Sequence, residues 1–407
     1  MKTQPKLSNI EVINHEANQC VKCALCAPVC PTYQISHNEN ESPRGRIALA
    51  QALAQAQIPL TEVTRLHLDH CLSCRACEAV CPAGVKYGDL FDHTQAFITE
   101  KVPDKTQQYT FFANPRRNFY LRKLLRFYQL AGLQKLLQHL RFLGISKLQQ
   151  LDEILPNLPP ATSWQVYYPP ITAELGRVAL FLGCVAKEFD QATLLATIKV
   201  LTHIGYGVYL PSKQTCCGAL ALHAGQQAAY TSNRQTNQQA FANLPIQAII
   251  SVATGCQVVL EEYDEPLAIP VRDLNEFLLN SAWSPKITLQ AYPAKVVLHT
   301  PCTRRNVLKQ TLMPQQLLQR IPELSITLLP NTGCCGAAGS YFLRYPDLSK
   351  EHLENTLEPI FSENSSLLLT TNLGCQLQLH AGLKAKKLEL SVQHPIVLLA
   401  QQIAVLP

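Results

Sequence analysis

The chain has 407 residues, 47% hydrophobic and 16% charged, with a formal net charge of +6. That length exceeds one ordinary core and predicts roughly two or three domains, and so much apolar side chain excludes a disordered chain. The charge says little about partners, because the count treats 16 cysteines as neutral and metal-bound thiolates would make the balance less positive.

The opening MKTQPKLSNIEVINHEANQ lacks the charged-then-apolar pattern of a secretory signal, and no apolar run reaches the ~18–20 residues that span a bilayer. Cysteines this abundant without an export signal point to reduced thiols that bind metal or do redox chemistry, and to a cytoplasmic protein.

Residues 1–105 read as a mostly helical, ferredoxin-type domain holding two [4Fe–4S] clusters. Cys20, Cys23, Cys26 and Cys30 precede Pro31, and Cys71, Cys74, Cys77 and Cys81 precede Pro82, so both runs read C-x2-C-x2-C-x3-C-P. In this spacing three thiolates wrap one cubane and the fourth cysteine crosses to the other. The rule assigns Cys20, Cys23, Cys26 and Cys81 to cluster 1, and Cys71, Cys74, Cys77 and Cys30 to cluster 2. Zinc is the competing reading, because paired C-x2-C also builds tetrahedral sites; it leaves cysteines unexplained, whereas two cubanes use all eight. Between the runs, RGRIALAQALAQAQ favours helix. SPRGR at 42–46 is either an ordinary helix start or a means of placing Arg44 and Arg46 near the clusters, where positive charge would raise a reduction potential.

Residues 106–172 read as a helical connector and linker. PRRNFYLRKLLRFYQLAGLQKLLQHLRFLG spaces Leu, Phe and Tyr at helical intervals, with Arg116, Arg117, Arg122, Lys123 and Arg126 among them. Such a basic amphipathic helix suits an anionic membrane or a partner subunit; the plainer expectation is that its apolar face packs on the chain's own domains. PNLPPATSWQVYYPP then marks a linker near residue 165.

Residues 173–285 and 292–405 read as two copies of one α/β domain. Cys184, Cys216, Cys217 and Cys256 recur about 118 residues later as Cys302, Cys334, Cys335 and Cys375, and TCCGAL recurs as GCCGAA, an internal duplication. Strand-like RVALFLG, GVYLP and QAIISVATG alternate with helical DQATLLATIKVLTHIG, and KVVLHT, SITLLP and SLLLTTNLG with helical VLKQTLMPQQLLQRI, which predicts mainly parallel sheets. Ligand sites form at the carboxyl ends of such strands, so each quartet is expected to converge. The eight cysteines are therefore candidates for a redox site or a further cluster; the alternative is that they are small buried apolar residues. Repetition of the whole quartet favours the former.

CVKCALCAPVCPTYQ, SPRGRI, CLSCRACEAVCPAGVKY, the two CCG turns, HTPCTRR and TNLGCQ together resemble, over essentially the whole chain, the iron–sulfur subunits of bacterial glycolate oxidase (glycolate dehydrogenase). Subunits of D-lactate and anaerobic glycerol-3-phosphate dehydrogenase complexes share this architecture. The resemblance implies an electron-transfer subunit without catalytic residues of its own, served by flavin-containing subunits that oxidise the substrate, passing electrons to quinone or another membrane acceptor and lying at the inner face of the cytoplasmic membrane. In CCG-type reductases of the heterodisulfide reductase kind the repeat ends in C-x2-C; here Val259 and Gln378 stand in place of the fifth cysteine. No G-x-G-x-x-G follows a strand and no G-x4-G-K-[ST] is present, and nothing carries a nucleic-acid signature.

Overall fold

The computed structural model describes residues 7–102, 114–134, 152, 154–361 and 365–405. The N-terminal part is helical: α1 (Asn9–Gln19), α2 (Pro31–Ser36), α3 (Pro43–Ala54), α4 (Glu62–Asp69), α5 (Ala76–Ala79) and α6 (Tyr87–Lys101). Ser8 and Glu11 form a capping box that starts α1. Ser42 caps α3 by accepting the Gly45 N–H at 3.0 Å, and Pro43 occupies the first turn, where a missing N–H costs nothing. Gly45 is needed because a Cβ there would lie 1.9 Å from the Glu39 carbonyl oxygen. Ile13 and Ala17 of α1 bury against Leu90, Phe91, Phe97 and Ile98 of α6, and Cys20, Cys26, Cys71, Cys77 and Cys81 pack on the same core.

The first repeat carries a five-stranded sheet, ordered β1-β3-β2-β4-β5, from β1 (Tyr167–Tyr168), β2 (Gly176–Leu180), β3 (Tyr206–Tyr209), β4 (Ala248–Ser251) and β5 (Val271–Asp273). β2 to β5 are parallel. The linker thus ends in an edge strand, β1 pairing antiparallel with β3. The second repeat has the order β10-β9-β7-β8, from β7 (Lys295–His299), β8 (Ser325–Leu328), β9 (Leu367–Thr370) and β10 (Ser391–Gln393), all parallel. Setting β1 aside, the two strand orders are the same. A small ribbon pairs β6 (Ile287–Leu289), between the repeats, with β11 (Ile403–Val405).

The two lobes are not separate bodies. Val178, Leu180, Leu194, Leu201 and Leu278 of the first repeat share one apolar core with Val296, Leu298, Leu317, Leu369, Ile396 and Leu399 of the second.

Two sequence expectations need correction. The stretch 307–321 is not one helix: a wide turn over Arg304–Leu308 ends at left-handed Lys309, and a fresh helix, Met313–Leu318, starts around Pro314, whose ring and missing N–H prevent an unbroken run. In the connector, the described helix α7 (Pro115–Leu130) turns polar residues inward. Arg122 is 2% exposed and donates to the Glu188 carbonyl at 2.8 Å and the Pro159 carbonyl at 2.6 Å; Asn118 donates to the Cys184 carbonyl at 2.9 Å. Tyr120, Leu124, Phe127 and Leu130 face outward, each 64–73% exposed. The remainder of the amphipathic stretch, from 135 on, lies outside the described residues.

Candidate iron–sulfur and cysteine sites

Each N-terminal cysteine run is wound by two left-handed residues at equivalent positions. Lys22 (φ 56°) and Ala24 (φ 67°) lie in the first loop, Ser73 (φ 49°) and Arg75 (φ 54°) in the second. Non-glycine residues adopt this conformation at some cost and concentrate at functional sites; here they turn the chain so that the thiols face inward.

Two adjoining cavities result. The first is lined by Cys20, Cys23, Cys26 and Cys81, together with Arg44 and Ile47; the second by Cys30, Cys71, Cys74 and Cys77, together with Thr32 and Arg46. Cys77, Pro43 and Tyr87 border both. The fourth cysteine of each run has therefore crossed to the other cavity. Cys23 is exposed, whereas Cys30 and Cys77 are buried. Two donors reach the second set: the Ser73 N–H donates to Cys71 Sγ at 3.4 Å and the Tyr87 hydroxyl donates to the same sulfur at 3.7 Å; Thr32 Oγ1 lies 3.2 Å from Cys30 Sγ and gives its proton to the Glu41 carbonyl at 2.9 Å. Burial pushes the Cys74 and Cys77 thiols well above their usual range, so these groups ionise when a cation arrives to take the charge. Thiols converging on each cavity, with N–H and O–H donors to Cys71 at the second, fit thiolate-held clusters.

In the first repeat, Cys184 Sγ and Cys216 Sγ are 3.3 Å apart, and Cys217 and Cys256 pack in the same cluster. Hydrogen bonds from Cys184 and Cys217 hold Cys216 well below the usual thiol range despite its burial. The CCG turn is fixed from outside by Tyr263, whose hydroxyl donates to the Cys217 carbonyl at 2.8 Å, and by Asn237, which donates to the Cys216 carbonyl at 2.9 Å. In the second repeat, Cys302 and Cys334 stand 4.0 Å apart, Cys335 and Cys375 pack in one cluster, and Asn372 donates to Cys375 Sγ at 3.4 Å. Each quartet is brought together. Gly336, with φ +82°, has no room for a Cβ, which would meet the Ser349 carbonyl oxygen at 2.5 Å.

The quartets differ in their neighbours. Cys302 and Cys334 pack with Cys74 and Leu72, and Asn306 donates to the Cys74 carbonyl at 2.8 Å. The first repeat meets α6 instead: His223 bonds Asp92 at 2.8 Å, and Thr99 donates to the Ala224 carbonyl at 3.2 Å. Sequence reasoning left Arg46 out of the site. The available signal was SPRGR itself, but nothing in the string says that Arg44 stays at the surface, bonded to Glu39, while Arg46 turns inward.

Comparison with known proteins agrees with this geometry. Residues 16–85 match the 4Fe–4S dicluster domain, residues 178–261 and 296–380 the cysteine-rich domain, and residues 106–155 the linker region of the glycolate oxidase iron–sulfur subunit. A protein of Bacillus subtilis named "Probable glycolate oxidase iron-sulfur subunit" is 32% identical over 92% of this chain and 90% of its own. The Escherichia coli "Glycolate oxidase iron-sulfur subunit" is 30% identical over 88% of this chain and 89% of its own. "Lactate utilization protein A" of Halalkalibacterium halodurans is 25% identical over 54% of this chain and 94% of its own. With a dicluster domain, two cysteine-rich repeats and near full-length similarity, the chain is an electron-transfer iron–sulfur protein and belongs to the glycolate oxidase iron–sulfur subunit family.

Proposed function

We propose that this chain is the electron-carrying subunit of a glycolate dehydrogenase (oxidase) complex, in which separate flavin-containing subunits oxidise glycolate to glyoxylate and this subunit passes the electrons to a membrane acceptor such as quinone. The observation that carries the reading is the crossing of Cys30 and Cys81 between two adjoining thiol-lined cavities. Cys20, Cys23, Cys26 and Cys81 would hold cluster 1, and Cys71, Cys74, Cys77 and Cys30 cluster 2. When bound, the clusters supply one-electron carriers between a two-electron flavin and its acceptor.

The protein's own residues supply the rest. Cys23, Val21 (68% exposed) and Leu25 (56% exposed) keep cluster 1 at the surface, where electrons are exchanged with a partner. Tyr87 and Ser73 hold the second thiolate set through hydrogen bonds to Cys71. Cys302 and Cys334 extend the line of sulfur beyond Cys74, which makes the second quartet the nearer candidate for a further redox station. No helix among the described residues is long and apolar enough to cross a membrane, so attachment at the inner face of the cytoplasmic membrane would be peripheral. Glycolate is favoured over lactate because the glycolate oxidase relatives align along nearly the whole chain and the lactate relative along about half. Val259 packs in the apolar core of the first repeat, where a fifth cysteine would otherwise stand, so a catalytic site of the heterodisulfide reductase kind is not favoured.

Anaerobically purified protein should hold about eight irons in the two cubanes, show interacting paramagnetic clusters on reduction, and reduce a dye from glycolate only when the flavin subunits are added. Glycolate oxidation by the isolated chain, or zinc without labile sulfide, would overturn the proposal.

A further inference from the structure

The carrier role leaves Arg46 unexplained. Its side chain is buried, 2% exposed, yet it lines the cavity of Cys30, Cys71, Cys74 and Cys77. All three guanidinium nitrogens are held: Nε donates to the His67 carbonyl at 2.7 Å, Nη1 to the Glu41 carbonyl at 2.6 Å and to Thr32 Oγ1 at 2.9 Å, and Nη2 to Glu41 Oε2 at 2.5 Å. Behind it, Glu41 is fixed in turn, its Oε1 taking the Nδ1 protons of His67 at 2.6 Å and His70 at 3.0 Å. Glu41 is not among the residues lining the cavity; it meets the thiols through its backbone carbonyl, which accepts from Cys30 Sγ at 3.7 Å, while its carboxylate is turned to Arg46, His67 and His70. The first cavity is bordered by Lys22 and Arg44, but the Arg44 side chain is 35% exposed and paired with Glu39, so water and salt screen it.

We propose that Arg46 sets the reduction potential of the second cluster, holding it above that of the first, so that electrons entering at the exposed first cluster settle on the buried second one. This rests on the assignment of the two ligand sets. Reducing a cluster held by four thiolates adds a negative charge to a site already negative, and burial makes that charge costly. A guanidinium that never loses its proton and is out of reach of solvent offsets the cost in the reduced state more than in the oxidised one. The Glu41 carboxylate, bonded to Arg46 on its other side, opposes this effect. Neutralising each partner must therefore move the potential in opposite directions, which a purely structural role for the pair would not do.

The test is a redox titration at fixed pH, followed by electron paramagnetic resonance, of the full chain carrying both clusters. Arg46→Gln is expected to lower the reduced-to-oxidised ratio of cluster 2 about tenfold at a given ambient potential, about 59 mV for a one-electron couple, while cluster 1 stays in place. Glu41→Gln is expected to raise that ratio, and Arg46→Lys to keep it near the wild-type value. If Arg46→Gln fails to assemble its second cluster, the sign for Glu41→Gln decides: a rise supports the role, and no change or a fall overturns it. Wild-type protein without two cubanes would overturn the ligand assignment. Two intact cubanes with a cluster 2 potential indifferent to both substitutions would overturn the role of Arg46 alone.

Discussion

His394 caps a helix with a ring nitrogen. Its Nδ1 accepts the Ile396 N–H at 3.1 Å, opening α15 (Pro395–Gln402), and only an unprotonated ring nitrogen can accept. Burial holds its pKa down at about 3, and burial likewise holds His299 and His352 at about 4. The unfolded chain therefore binds these protons first as pH falls, near 6.5. The three histidines contribute stability that is fully present above pH 6.5 and is lost on acidification, toward about 4 for His299 and His352 and about 3 for His394, at roughly 1.4 kcal/mol per pH unit for each. His394→Asn keeps a capping acceptor and should flatten the fall of Tm between pH 6.5 and 4.5 by about one histidine's share; an unchanged slope would refute the assignment. At this scale the sequence announced the cysteines, because a thiol ladder at fixed offsets has few other uses. It did not announce Lys22, Ala24, Ser73 and Arg75 as left-handed positions, because glycine is the usual mark of that conformation and none of the four is glycine. Arg46 was visible as a charge near a cysteine run but not as a buried one, since its burial depends on Glu41, Thr32 and His67 closing around it.

Among elements, α7 shows how a correct periodicity can give the wrong orientation. The apolar stripe was legible, yet the helix docks through Asn118 and Arg122, which donate to the Cys184 and Glu188 carbonyls of the first repeat and the Pro159 carbonyl of the linker, and a buried carbonyl left without a donor costs about 1–3 kcal/mol. Arg122→Ala should destabilise the docked helix by about 2–4 kcal/mol and expose the connector to limited proteolysis. Leu124→Ser, on the outward face, should change Tm little, within about 0.5 kcal/mol. If the leucine variant were instead the more damaging, the docking face would be misassigned. The parallel strands were legible from their apolar runs, since both faces are covered; the break near Lys309 was not, because the surrounding leucines continue a helical pattern across it.

For the whole molecule, the joint between the repeats is held by Arg304, fully buried, and Asp273, whose side chain is 2% exposed, paired at 2.5 Å. Arg304 also donates to Thr371 Oγ1 at 2.9 Å. Removing one member of such a pair strands a buried charge, so Arg304→Met should cost about 3–5 kcal/mol. Adding Asp273→Asn, which keeps the cap on α11 (Leu274–Asn280), should restore much of that loss, measured by denaturant unfolding. Equal destabilisation by the single and double variants would show that packing, not charge, holds the joint. The duplication was plain in the sequence, but the fusion of both copies into one core was not, because residues such as Leu194 and Leu399 carry no sign of which copy they will meet.

That shared core is also built reciprocally. Helix α8 (Gln191–Ile204) of the first repeat packs on α15 of the second, and α12 (Met313–Leu318) of the second packs on α11 of the first. By the offset of about 118 residues, α12 holds the place of α8 and α15 that of α11. Each copy thus offers the other the same two surfaces in exchange, the reciprocity that a two-fold homodimer requires. The two halves of the chain are in this sense placed as the subunits of such a dimer would be. Arg304 and Asp273 close the joint on one side of the pseudo-axis as an ion pair; at the mirrored positions stand Ala186, 118 residues earlier, and His394, the cap of the matching helix 121 residues later, so these two positions on the other side of the joint hold no such pair.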